Sequence, residues 1–140
     1  MEEQLWKACS DGKVEEVRKL LQNSQININW QNQNDGYSTP FLVACRNEHL
    51  GVVKLLLSDH RLIINVADFN RITPLYVACE KGHIEIVKLL LNDERVDINK
   101  EDNYGATPFY ITCQEGHIEI VKLLLNDERV DINKARDDGS

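Results

Sequence analysis

Apolar residues recur along the chain in short blocks divided by polar segments. The block Ile84, Ile86, Val87, Leu89, Leu90 and Leu91 has helical spacing and predicts an amphipathic helix. A shorter apolar block precedes it, opened by Thr73-Pro74, and the same arrangement follows Thr39-Pro40 and Thr107-Pro108. Thr before Pro suits the N-cap and first helical position, because proline lacks only a donor that would have no partner there. First helices therefore begin at Pro40, Pro74 and Pro108. Gly82 and Gly116 fit the left-handed residue that ends such a helix, and His83 and His117 lead into the second. The product is an antiparallel helix pair, followed by Asp97-Ile98-Asn99 and by Asp102-Asn103-Tyr104-Gly105, whose turn chemistry predicts an extended loop or hairpin.

The pattern is periodic. The three Thr-Pro pairs stand 34 residues apart, and the nineteen residues from Gly82 through Lys100 return unchanged from Gly116 through Lys134. Ala8-Cys9 aligns with Ala44-Cys45, Ala78-Cys79 and Thr112-Cys113, and each Cys is followed twenty residues later by Asn29, Asn65, Asn99 or Asn133. Four units result, and the interval from Asn29 to Thr39 makes the first connecting loop two residues longer than the others. One helix pair cannot bury both its apolar stripes, so neighbouring units must stack and share a continuous core.

Composition narrows the function classes. The 140 residues are 42% apolar, enough for a core, and carry a net charge of −7. That sign repels phosphate backbones and anionic lipid, and the longest basic cluster is Arg18-Lys19, so neither nucleic acid nor a membrane is the expected partner. The opening Met1-Glu2-Glu3-Gln4 leads into no apolar run, and no apolar stretch approaches the roughly 18 residues of a membrane span. A soluble protein without a secretory address is expected.

Thr73-Pro74-Leu75, Ala78-Cys79, Gly82-His83, Ile86-Val87-Lys88-Leu89-Leu90-Leu91 and Asp97-Ile98-Asn99 together resemble the ankyrin repeat, over essentially the whole chain. A 34-residue period also suits the tetratricopeptide repeat, but that family lacks the Thr-Pro start and the long Asp-Ile-Asn loop. The resemblance implies an all-α repeat solenoid of helix-turn-helix units joined by β-hairpin loops. Its units are a capping repeat over 1–33, repeats over 34–67, 68–101 and 102–135, and the truncated start of another over 136–140. The chain departs from the family pattern at Asp93-Glu94-Arg95-Val96, one residue longer than usual, so the outer loop should be rearranged. Leu42, Tyr76 and Tyr110 replace the family's His, and its hairpin Gly is matched only by Gly105, with Tyr37 and Arg71 at the aligned positions. Hairpin geometry in the second and third units stays open on this reading.

Lys7, Glu16 and Lys19 stand where later units carry apolar residues, which marks the first unit as a cap. The last unit shows no such change. Its outer face should be apolar and self-associating, and the chain reads as a fragment of a longer array.

Four cysteines occupy one equivalent slot per unit. Stacked helices sit about 8–10 Å apart, too far for a disulfide or a shared zinc ion. A small buried residue in each first helix is expected, and unbridged thiols favour a cytoplasmic location. His49, His83 and His117 recur at the helix-helix turn, where hydrogen bonding between turns is their expected work. His60 lies outside that pattern, and no nucleophile triad, phosphate loop or metal motif appears. Neither catalysis nor a cofactor is implied. The Asn92-Asp93-Glu94-Arg95 run reads as a solvated loop.

The family resemblance implies that hairpin tips and exposed first helices form a groove for another protein. By position this groups Trp30, Gln33, Asp35 and Tyr37 on the first finger, and Phe69, Asn70, Arg71 and Ile72 on the second. Asn103, Tyr104 and Ala106 lie on the third, and the helix ends add Arg46, Asn47, Glu80, Lys81, Gln114 and Glu115. The last two units are identical through helix two yet differ at their fingers, and aromatic and Arg residues are the commonest interface anchors. The expected function is a non-catalytic protein-interaction scaffold; the alternative is a targeting or regulatory segment of a larger enzyme, such as a kinase or ubiquitin ligase.

Overall fold

The computed structural model describes residues 1–134. The expected unit start over 136–140 lies outside the described residues. Among the described residues eight α-helices form four pairs: α1 (Glu2–Asp11) with α2 (Val14–Leu21), α3 (Pro40–Arg46) with α4 (Leu50–Leu57), α5 (Pro74–Lys81) with α6 (Ile84–Leu91), and α7 (Pro108–Glu115) with α8 (Ile118–Leu125). Helices this short are marginal alone and depend on packing. The first helices pack in one row, α1 to α3 to α5 to α7, and the second helices in a parallel row behind it. This is an all-α repeat solenoid.

The Thr-Pro starts behave as their chemistry requires. The hydroxyls of Thr39, Thr73 and Thr107 accept from the backbone N–H of Leu42, Tyr76 and Tyr110 at 3.0, 3.1 and 3.1 Å. Gly82 and Gly116 end their helices in the left-handed region, and so does Glu48 in the second unit at φ 62°. The connecting fingers differ from the expected hairpins. Among the described residues no β-strand forms; the first finger has a single bridge, Asn32 to Ser38, and a 3₁₀ turn at Gln33–Asp35 that absorbs its two extra residues.

Each junction between units is tied by the same four devices. The first is a continuous apolar core, running from Leu5 and Val17 through Val43, Val53, Leu56, Ile86 and Leu90 to Leu124, all essentially closed to water. The second is histidine, as expected: His49, His83 and His117 place Nε2 2.9, 3.0 and 2.8 Å from the carbonyls of Ser10, Arg46 and Glu80 in the preceding unit. A carbonyl only accepts, so Nε2 carries the proton. The third is the recurrent asparagine. Asn65 donates to the Arg95 carbonyl and accepts from the Asp97 N–H, both at 2.8 Å. Asn29 and Asn99 repeat this geometry on the units that follow them.

The fourth lies in the outer loop, where Asn92, Glu94 and Arg95 are exposed as a solvated loop requires and the arginine is bonded to the preceding unit all the same. Arg95 grips the Asp93 carboxylate through Nε and Nη2 at 2.9 and 2.7 Å, and the same Nη2 reaches the Leu57 carbonyl at 3.1 Å. Arg61 with Asp59 reaches Leu21, and Arg129 with Asp127 reaches Leu91. The loop is thus a clamp that caps the last carbonyls of the preceding second helix, and a cation there also suits the helix dipole. In all three pairs the arginine's hydrogen bonds hold the aspartate below its ordinary value of 3.8. A carboxylate with a lowered folded pKa contributes stability that is fully present above 3.8 and disappears as pH falls through the folded value. The urea midpoint should therefore drop on going from pH 5 to pH 2.5. A variant with Arg61, Arg95 and Arg129 changed to Gln should lose a smaller part of its stability over that interval; an equal loss would show that the clamps do not carry it.

The cysteine slots are buried in three units and open in the last. Cys9, Cys45 and Cys79 lie in the core, whereas Cys113 is exposed, contrary to expectation, because no described unit packs on that side of α7. Burial pushes the Cys9 and Cys79 thiols up to about 12 and raises Cys45 as well, which leaves all three protonated and unreactive at neutral pH. Lys7, Glu16 and Lys19 on the first unit face solvent. On the last, Ile118, Leu125 and Ile132 are exposed, whereas Ile98, the counterpart of Ile132, is buried.

Candidate binding groove

The finger segments 32–38, 68–72 and 102–106 stand in a row beside α3, α5 and α7. Each is closed by a backbone bond from its first residue to its last: Asn32 to Ser38 at 2.8 Å, Asp68 to Ile72 at 3.0 Å and Asp102 to Ala106 at 2.9 Å. Aspartate stiffens the second and third. Asp68 Oδ1 accepts from the N–H of Asn70 and Ile72, and Asp102 Oδ1 from those of Tyr104 and Ala106. The geometry left open by the missing glycines is now settled. Tyr37 and Arg71 take φ of 64° and 63°, the left-handed conformation that Gly105 adopts at 80°. Side chains at those two positions accept a backbone strain that glycine avoids.

The fingers are also joined to one another. Phe69 N–H donates to the Gly36 carbonyl at 2.8 Å, and Asn103 N–H to that of Asn70 at 3.2 Å. The Tyr37 and Phe69 rings stack with centroids 6.4 Å apart. Phe69 and Tyr104 are nevertheless 73% and 70% exposed, so the stack leaves most of Phe69 facing water.

The sequence-derived contact residues fall into three groups. Asn70, Ile72, Tyr104, Glu80 and Gln114 meet in one cleft of about 350 Å³ between α5 and α7, together with Tyr76, Asp102 and Tyr110. Trp30, Gln33 and Tyr37 share a second depression at the first finger. The others are more scattered or already engaged. Arg71, Lys81, Asn103 and Glu115 are exposed outside both hollows. Arg46 pairs with Asp35 at 3.0 Å, and Asn47 donates to the Ser10 carbonyl, so these three side chains first serve the molecule's own packing. Ala106 is buried and contributes only to the cleft floor.

Sequence reasoning noted Tyr76 and Tyr110 but gave neither them nor Trp6 a part in the groove. Trp6 Nε1–H donates to Ser38 Oγ at 3.1 Å, and the Ser38 hydroxyl donates to Asp35. Tyr76 donates its phenol to Asp102 Oδ2 at 2.7 Å. Trp6, Leu42, Tyr76 and Tyr110 occupy one repeat position, and a polar-tipped aromatic at three of these four was the available signal. His60 is exposed. Among the described residues no three His, Cys, Asp or Glu side chains are placed to hold a metal, and no helix is long and apolar enough to cross a membrane.

A solenoid of helix pairs, with rigid fingers aligned beside its first helices, is the architecture of a repeat protein that offers an extended surface. A family model described as ankyrin repeats (3 copies) matches residues 60–136, and one described as ankyrin repeats (many copies) matches residues 5–57. The chain belongs to the ankyrin-repeat family. Ankyrin repeats are in general protein–protein interaction modules. No curated protein matches the chain.

Proposed function

We propose that the chain is a non-catalytic scaffold that binds another protein through its finger tips and the exposed face of its first helices. The carrying observation is the row of backbone-linked fingers that holds Phe69 and Tyr104 with most of their surface in water. Large aromatics fixed in exposed positions have the character of interface anchors. The net charge of −7 supports a protein partner over nucleic acid or anionic lipid. The apolar residues exposed on α8 support self-association as a second contact, and thiols isolated one to a unit support a cytoplasmic setting.

Capture of partners from lysate tests the main reading, with the native chain compared to a variant carrying Trp30→Ala, Phe69→Ala and Tyr104→Ala. The variant should keep its helical circular dichroism, since Phe69 and Tyr104 contribute little to the core, and should retain partners at least about tenfold more weakly, as expected when anchors worth about 2 kcal/mol or more are removed. Capture at the native level by the folded variant would overturn the assignment.

A further inference from the structure

The clefts between successive first helices differ in charge. Ser10, Arg46, Glu80 and Gln114 occupy one repeat position, at the end of each first helix. Between α1 and α3 the groove holds the Asp35 carboxylate, and Arg46 reaches across to it at 3.0 Å. Between α5 and α7 the residue in the place of Arg46 is the neutral Gln114, and Glu80 replaces Ser10. Asp102 forms the cleft floor, with only 7% of its surface exposed. Its Oδ1 accepts from two backbone amides and its Oδ2 from the Tyr76 phenol, all neutral donors. Among the described residues neither Asp102 nor Glu80 enters an ion pair. The first cleft thus holds a guanidinium–carboxylate pair and the last cleft two carboxylates, although Asp35 belongs to the longer first finger and Asn32 holds the closing position that Asp102 takes in the third.

Three tyrosines help to line that cleft, Tyr76, Tyr104 and Tyr110, beside the apolar Ile72, Ala106 and Ile111, and of the three Tyr76 is buried and Tyr104 mostly exposed. Ring faces attract cations, and they do so more strongly when a carboxylate stands close by and water is partly excluded. An apolar guest would take water from the Glu80 carboxylate without offering it a donor, and an anionic guest would be repelled by both carboxylates. The first cleft shows how this groove satisfies a finger carboxylate, with a guanidinium drawn from the helix row. We infer that the cleft between α5 and α7 receives a cationic side chain, arginine or lysine, supplied by the protein partner. This rests on the reading of the groove as a protein-binding surface and specifies what that partner presents to it.

The full chain, labelled with ¹⁵N, is titrated with Nα-acetyl-arginine methylamide and separately with the citrulline analogue, its neutral isostere. Arginine should shift the amides of Asn70, Tyr104 and Gly105 saturably, and citrulline should bind about fivefold more weakly or worse, the scale of a partly desolvated cation–π contact. Glu80→Gln should weaken arginine, and Gln114→Arg should weaken it further by supplying the internal cation of the first cleft. Both side chains reach solvent, and spectra unchanged outside the cleft would verify the fold. Equal binding of the two probes, or arginine binding indifferent to both substitutions, overturns the inference. A partner captured through the fingers as well by Glu80→Gln and Gln114→Arg as by the native chain would also overturn it, and would leave the groove reading intact.

Discussion

Leu90→Ala is expected to lower the unfolding free energy by about 3 kcal/mol, the usual scale for deleting a fully buried leucine side chain and leaving part of its cavity. Leu124→Ala provides the comparison, because the two residues sit at the same place in identical nineteen-residue segments and are both closed to solvent. Their settings differ. Leu90 lies in α6, with α4 on one side and α8 on the other, whereas α8 is the last described helix of its row. In a one-dimensional stack, stability is the sum of unit terms and nearest-neighbour interfaces. An interior cavity weakens the middle of the stack; the same cavity at its end mainly lets the end unit open. Urea unfolding followed by circular dichroism should show the larger shift for Leu90→Ala. Hydrogen exchange should show faster opening confined to α7 and α8 for Leu124→Ala. Equal acceleration along all four helix pairs from both substitutions would mean that the molecule unfolds as one block and that the nearest-neighbour picture is wrong.

What was legible in the sequence follows from which interactions repeat. Helix starts were readable because Thr-Pro is a local signal whose partner, the amide three residues on, lies in the same segment. The stacking of units was readable because periodic apolar blocks admit few other arrangements. The histidine bonds were readable from one residue recurring at each turn. The clamps were not. The Asp-x-Arg pairing looks like an exposed charge run until the preceding unit's Leu57 or Leu91 carbonyl is seen within reach of the arginine. Local charge patterning carries no information about a carbonyl some 38 residues away. The exposed Cys113 was misjudged for a related reason, since its slot is buried only where a following unit covers it. The groove was half legible. Exposed aromatics on the fingers could be read from turn chemistry and family position, but Asp102 could not, because its placement at the cleft floor depends on a bond to Tyr76 from another unit. Finger backbone geometry was also beyond reach: Tyr37 and Arg71 adopt a conformation that their own side chains disfavour, and the surrounding bonds impose it.

The asparagines were visible at a constant interval, yet their role appeared only in three dimensions. Changing Asn29, Asn65 and Asn99 together to Ala is expected to cost about 3 kcal/mol, taking about 1 kcal/mol for the net hydrogen bonding lost at each junction. Each of these side chains spans two units, donating to a backbone carbonyl and accepting from an N–H two residues further on. The asparagine amide holds a donor and an acceptor on separate atoms of one short planar group; aspartate would set an anion against the carbonyl, glutamine would overreach, and a serine hydroxyl would fall short. The three sites belong to different junctions, so their effects should add nearly independently. Asn133 holds the same repeat position but makes no such bridge among the described residues, and Asn133→Ala should change stability by less than about 0.5 kcal/mol. Urea midpoints of the single and triple variants decide the matter. A cost at Asn133 equal to that at Asn65 would show that the side chain acts within its own loop, and the twenty-residue spacing from each cysteine would then need a cause other than the joining of units.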